Sequence, residues 1–199
     1  MLRLVRPLRQ LSTFAGPSLR TILGGSVAER SAQRLADRAT AYSALDVTVD
    51  HGVATVLLNR PKKQNALNIP MWNELIDCFD AVSADPTVRV AVLDGAGDHF
   101  CSGMDLGVFS ELGVLYREES CPGRRSELVY RVVKFFQAGV SAPELCTKPV
   151  IGVMDGNVVG GAVDLITACD FRYAAAGARL CVKEVDRDHD LLSASATFT

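Results

Sequence analysis

The stretch LDVTVDHGVATVLLNRPKKQNALNIPMWNELIDCFDAVSADPTVRVAVL, residues 45–93, contains two strands, a helix and a third strand in that order. Residues 45–49 and 53–59 are rich in β-branched side chains and flank Asp50, His51 and Gly52. That is a hairpin signal, since Gly52 accepts a positive φ and Asp50 tolerates a turn. Arg60 and Pro61 break the second run. Asn68 stands where it can cap a helix whose first residue is Pro70, a position at which a missing N–H costs nothing. Met71, Trp72, Leu75, Ile76, Phe79 and Val82 then recur at helical spacing and predict one apolar face. Asp85-Pro86 closes that helix, and residues 88–93 read as a fully buried parallel strand. Strand–helix–strand alternation of this kind places the chain in the α/β class.

The pattern continues outward from this stretch. Gly95, Ala96 and Gly97 form a loop, and the polar residues 111–125, with Pro122-Gly123, predict a mobile loop before a second helix. In that helix Leu128, Val132, Phe135 and Phe136 face one way. Pro149 opens an apolar strand over residues 150–153, which a turn at Asp155, Gly156 and Asn157 follows. No internal repeat is strong enough to use. Residues 187–199 have neither cap nor period and read as a tail.

A chain of 199 residues has room for one domain with a substantial core. With 48% hydrophobic and 22% charged residues it has an ordinary globular composition. The net charge of −2 argues against a polyanion partner such as nucleic acid. No apolar run reaches the roughly 18 residues a membrane-spanning helix needs. The charge is unevenly spread, however. Seven of the 21 basic residues, all Arg, and two of the 23 acidic ones fall in residues 1–41, leaving 14 against 21 beyond, a balance of −7. An Arg-rich, acid-poor start with interleaved Leu2, Leu4, Val5, Leu8 and Leu11 predicts a mitochondrial transit peptide or disordered leader over residues 1–41. The six cysteines contain no C-x-x-C pair and no neighbouring His cluster, so buried free thiols are expected and no metal site.

Three segments can carry chemistry. They are residues 99–106 (HFCSGMDL), residues 159–165 (VGGAVDL) and residues 181–186 (CVKEVD). Gly160-Gly161 lets the backbone approach a ligand, and the helix that follows aims unpaired N–H groups at it. A second N–H from the loop at Gly103-Met104 would complete a two-donor hole for negative charge developing on a carbonyl oxygen. Each glycine segment alone also fits a plain tight turn.

Motifs in order and in register settle the matter. Leu57-Leu58-Asn59-Arg60-Pro61 followed by Asn65-Ala66-Leu67-Asn68 resembles the opening signature of the crotonase (enoyl-CoA hydratase/isomerase) superfamily. Residues 100–106 resemble its first oxyanion segment and residues 160–170 its second, and the resemblance runs over residues 42–186. It implies a crotonase-like spiral of ββα units, homo-oligomers built on trimers, and acyl-CoA thioesters as substrates. CoA is part of the substrate, so no separate cofactor is implied. Carried over residue by residue, Met104 and Gly161 supply the oxyanion-hole amides. Ser102, Gly103, Met104, Asp105 and Leu106 border the acyl-CoA pocket with Gly161, and the segment from Lys62 to Ala66 lies where the family holds the CoA nucleotide. Asp164 and Glu184 fall where hydratases carry paired glutamates. Asp at 164, with the contexts Thr-Ala-Cys-Asp and Val-Lys-Glu-Val-Asp, resembles dienoyl-CoA isomerases of β-oxidation more closely. That implies Glu184 as the base for the α-proton, Asp164 assisting near the thioester, and a mitochondrial matrix location, with the peroxisome open for longer relatives.

Other readings stand beside these. Asp164 also fits a charge favoured near a helix start, Glu184 a solvated strand end, and Asp105 a structural hydrogen-bonding residue. His51, His99 and His189 receive no role. The further aspartate that dienoyl-CoA isomerases carry eight residues after the glutamate corresponds here to Leu192, and the resemblance stops after Asp186. The expectation is a C-terminally truncated family member with weak or no activity. An enoyl-CoA hydratase and a non-catalytic thioester- or partner-binding chain are the alternatives.

Overall fold

The computed structural model describes residues 35–183. The expectations placed on Glu184, on Asp186, on the tail and on most of the leader lie outside the described residues. Residues 35–39, assigned to the leader by composition, instead form a short helix, α1 (Leu35–Ala39), against the domain. Leu35 is fully buried, and Arg38 forms an ion pair with Asp77 at 3.1 Å.

Strands β1 (Leu45–Asp50) and β2 (Val53–Leu58) form the expected hairpin, paired from Leu45↔Leu58 to Asp50↔Val53. Its two turn residues, His51 and Gly52, have φ of 47° and 83°, the pattern of a type I′ turn. The next helix, α2 (Ile69–Ala84), begins one residue before Pro70, with the Asn68 side chain accepting from the Met71 amide at 3.1 Å. Met71, Trp72, Leu75, Phe79 and Val82 are buried as the periodicity required, whereas Ile76 is only half-buried. At the margin of that face, Glu74 accepts from the amides of Ser43, Ala44 and Leu45 and from the Ser43 hydroxyl, all at 2.8–2.9 Å. One carboxylate thus fixes the entry into β1 relative to α2.

Strand β3 (Val90–Gly95) is parallel to β2, as expected of this run. It is not buried on both faces: Ala91 and Leu93 are inside, while Val90 and Val92 are half-buried. The mobile loop predicted over residues 111–125 is mostly helix. Helix α3 (Leu106–Glu118) runs into it and α4 (Pro122–Leu145) starts within it, leaving only three residues between them. Val108, Leu112 and Leu115, one helical stripe, pack together with Phe135 and Phe136, which outweighs the polar composition of the stretch.

The remaining elements are β4 (Val150–Met154), β5 (Asn157–Val159), α5 (Gly161–Thr167), β6 (Phe171–Ala174) and β7 (Arg179–Cys181). The large sheet has the order β1-β2-β3-β4-β6 and is parallel except for the first hairpin; β5 and β7 form a small parallel sheet. From β3 onward the chain repeats one path: a strand in the large sheet, a strand or bridge in the small one, then helix. After β3 comes Cys101, bridged to Val158, then α3 and α4; after β4 come β5 and α5; β6 is followed by β7. This is the spiral of ββα units that the motifs implied. Among the described residues no helix is long and apolar enough to cross a membrane.

Candidate functional site

The loop from Cys101 to Asp105 is held from both sides. The amides of Cys101 and Val159 exchange bonds with β5, to Asn157 and Cys101 carbonyls, at 3.0 Å each. On the other side Leu67 donates to the Gly103 carbonyl at 2.8 Å and its own carbonyl accepts from Asp105 at 3.1 Å, so Met104 is bracketed. Gly103 has φ +90°, and a side-chain carbon there would sit 2.7 Å from the Val159 carbonyl oxygen. Only glycine tolerates both conditions. Next to it the Cys101 thiol donates to the Asn65 carbonyl at 3.1 Å and accepts from the Gly103 amide at 3.3 Å. Burial pushes that thiol up to about 12, against the opposing effect of the Gly103 amide, so it acts as a neutral thiol.

Two side chains support the loop from below. Asn65 is fully buried; its Oδ1 accepts from the Arg60 amide at 2.8 Å, and its Nδ2 donates to the carbonyls of Ala96 and His99 at 2.9 and 2.8 Å. Arg60 donates to the Ala66 carbonyl and to Asp105 Oδ2, the latter at 2.8 Å. Asp105 in turn caps α3 through the Gly107 amide at 2.9 Å.

The second strip of backbone comes from the β5–α5 junction. Gly160 has φ 54° and ψ −127°, and donates to the Cys181 carbonyl at 2.8 Å; Gly161 opens α5. Behind Gly161 stand Leu67 and Trp72, whose Cδ1 and Cη2 would lie 3.7 and 3.8 Å from a side-chain carbon built there. Met104 and Gly161 line one cavity of about 510 Å³, with Asp164 on its wall in the first turn of α5. Among the described residues, neither the Met104 nor the Gly161 amide has an acceptor. Two such donors on one apolar-walled chamber could hold a developing oxyanion.

The sequence pattern of the enoyl-CoA hydratase/isomerase family matches residues 48–186. The chain belongs to that family. It is 40% identical over 148 residues to a peroxisomal Delta(3,5)-Delta(2,4)-dienoyl-CoA isomerase of Arabidopsis thaliana, covering 73% of this chain and 53% of the relative. It is 37% identical over 179 residues to the mitochondrial Delta(3,5)-Delta(2,4)-dienoyl-CoA isomerase of Homo sapiens, covering 88% and 54%. Among solved structures, an enoyl-CoA hydratase/carnithine racemase from Magnetospirillum magneticum aligns with a TM-score of 0.62 and 30% identity, over 73% of this chain and 52% of that one. The chain thus spans about half the length of the curated relatives it matches.

Within this enoyl-CoA hydratase/isomerase domain, Ser102, Gly103, Met104, Leu106, Gly161 and Asp164 converge on the one cavity. Asp105 does not line it; its carboxylate is committed to Arg60 and to the start of α3. Lys62 and Ala66 also stand apart from it, in the 3-10 turn Pro61–Lys63 and on the loop that follows that turn. Glu184 lies outside the described residues; Lys183, the last of them, lines the cavity. The motifs left out the opposite wall, which α2 and α4 provide through Trp72, Val133, Phe136 and Val140. Helical spacing marked Trp72 and Phe136 as inward-facing, but it carries no sign that separates a face packed on core from a face lining a chamber.

The Arg60–Asp105 pair makes a pH prediction. Partial burial raises the Asp105 pKa, but the Gly107 amide and the Arg60 guanidinium outweigh it and hold the carboxyl below its usual range. A depressed folded-state value means stability that is present above the ordinary carboxylate range and is lost as pH falls through the folded value. Asp105→Asn is therefore expected to be less stable than wild type at pH 7 and to approach it at low pH. Urea unfolding of both chains across that range checks this; a constant difference between them would remove the assignment.

Proposed function

We propose that this chain is an acyl-CoA isomerase of fatty-acid β-oxidation, converting 3,5-dienoyl-CoA to 2,4-dienoyl-CoA. The observation that carries the reading is the pair of amides, Met104 and Gly161, that have no acceptor among the described residues and line one cavity with Asp164. The thioester carbonyl would accept from both. Glu184, next in the chain after a cavity-lining residue, would remove a proton from C2 as the base. The electron pair then spreads over the oxygen and the conjugated chain as a dienolate, and a proton returned at C6 leaves double bonds at positions 2 and 4. One proton leaves and one arrives, so substrate and product are isomers. The two donors stabilise the intermediate most where its charge is largest, at the oxygen.

The Delta(3,5)-Delta(2,4)-dienoyl-CoA isomerases among the relatives support this reading over hydration, and Asp164, a methylene shorter than glutamate, reaches less far towards a water shared by two carboxylates. The same proposal places the CoA nucleotide near Lys62 and Ala66, expects self-association in the manner of the family, and puts the protein in the mitochondrial matrix on the strength of its Arg-rich start. Incubation with a 3,5-dienoyl-CoA should build the ultraviolet band of a diene conjugated to a thioester. Silence there, with a 2-enoyl-CoA consumed, would replace isomerase by hydratase; silence with both would overturn the catalytic reading.

A further inference from the structure

We infer that Cys101 is a positioning residue for the Met104 amide, acting through Gly103; this rests on the two-donor reading of the cavity. A trans peptide is planar, so its C=O and N–H point opposite ways, and only φ and ψ between two such planes are soft. At Gly103 those two angles decide where the Met104 N–H points, and a glycine with φ +90° has no side chain to restrict them. Each plane is clamped by one bond. Leu67 donates to the Gly103 carbonyl at 2.8 Å, which turns the Met104 N–H away from Leu67. The preceding plane, between Ser102 and Gly103, is held through the Gly103 amide, which donates to Cys101 Sγ at 3.3 Å. Among the described residues the Ser102 carbonyl has no donor, so the thiol is that plane's one hydrogen-bond anchor.

Cys101 gives that bond a fixed base. Its side chain is fully buried, its amide donates to the Asn157 carbonyl and its own carbonyl accepts from Val159, both at 3.0 Å. The thiol proton goes to the Asn65 carbonyl at 3.1 Å, not to the Gly103 carbonyl at 3.9 Å, which leaves a sulfur lone pair for the Gly103 amide. Oxyanion stabilisation depends on donors pre-set at the place where charge will develop, so freeing this plane weakens polarisation of a bound carbonyl. Serine offers the same donor and acceptor as the thiol, whereas alanine and valine offer neither. A cysteine kept only as a small hydrophobe would be replaced better by valine than by serine. A positioning thiol gives the reverse order.

The test uses the full chain and 3-(4-dimethylaminophenyl)acryloyl-CoA, whose absorption moves to the red when its carbonyl is polarised. The shift is read on bound probe, so a variant that merely binds less gives a smaller signal at the same wavelength. Wild type is expected to bind the probe with a red shift. Cys101→Ser should keep most of that shift, whereas Cys101→Ala and Cys101→Val should bind the probe and lose most of it. Urea unfolding, run beside the spectra, shows which chains are folded. If neither apolar variant folds, Cys101→Ser decides alone, its retained shift supporting the inference. An apolar variant that folds and gives the wild-type shift overturns this inference alone, as does a folded Cys101→Ser chain that binds without it. A wild-type chain that binds the probe with no shift overturns the two-donor reading and this inference with it.

Discussion

On the isomerase reading proposed above, replacing Gly103 with alanine is expected to lower turnover by about 10²–10³, the usual effect of losing one oxyanion donor. Gly103 does not itself donate to the substrate. Its φ of +90° and its closeness to the Val159 carbonyl leave no space for a methyl group, so the added carbon must move either β5 or the loop that carries the Met104 amide. Strain of that kind costs on the order of 1–3 kcal/mol, which the surrounding hydrogen bonds will resist in part. The loop and β5 are joined through Cys101, so movement of either shifts the Met104 amide relative to Gly161. Turnover with 3,5-dienoyl-CoA, measured beside urea unfolding, separates the two effects. A Gly103→Ala chain that is as stable and as active as wild type would show that Met104 takes no part.

The largest loss of stability is expected at Asn65. Asn65→Ala leaves three partly buried polar groups without their partner: the Arg60 amide and the carbonyls of Ala96 and His99. Each unsatisfied group costs about 1–3 kcal/mol, so a loss of about 3 kcal/mol or more is expected. Asn65→Asp keeps the acceptor for Arg60 but sets a buried carboxylate against the two carbonyl oxygens, so at pH 7 it should be at least as destabilised as alanine. Urea unfolding of the three chains gives the order directly; an alanine variant as stable as wild type would contradict the hydrogen-bond account. Because Asn65 ties the loop of residues 60–66 to the end of β3, the same variant should also loosen the base on which Met104 rests.

Much of the fold can be read from local signals, and the reasons for the exceptions are physical. Asn68 with Pro70, the apolar stripe of α2, and the hairpin at His51-Gly52 are short-range patterns, and all three stand as expected within a residue. Strands β5 and β7 have three residues each, too few for any periodicity to emerge. Helix α3 and the first turn of α4 were obscured by Glu118, Glu119, Arg124 and Arg125, whose charges cluster at the junction and dominate a composition window. There, Glu119 organises the turn instead: its carboxylate accepts from the Cys121 amide and from Arg124.

The site shows the same division. The glycine segments pointed to Met104 and Gly161, and the family resemblance supplied their roles. The Arg60–Asp105 pair, which joins residues 45 positions apart, has no local signature; it supplies the partner for the hydrogen-bonding role read for Asp105. The Cys101 thiol that steadies Gly103 was likewise hidden, since a free cysteine in a core reads as a small hydrophobe.

The central claim is that two backbone amides meet one thioester oxygen. Infrared difference spectra of a ¹³C-carbonyl-labelled acyl-CoA bound to the full chain test it most directly, with the matching thioether, which lacks the carbonyl, as the binding control. The account predicts a carbonyl stretch displaced to lower frequency than in water and weaker binding of the thioether. A stretch at its aqueous frequency, with thioester and thioether bound equally well, would contradict it.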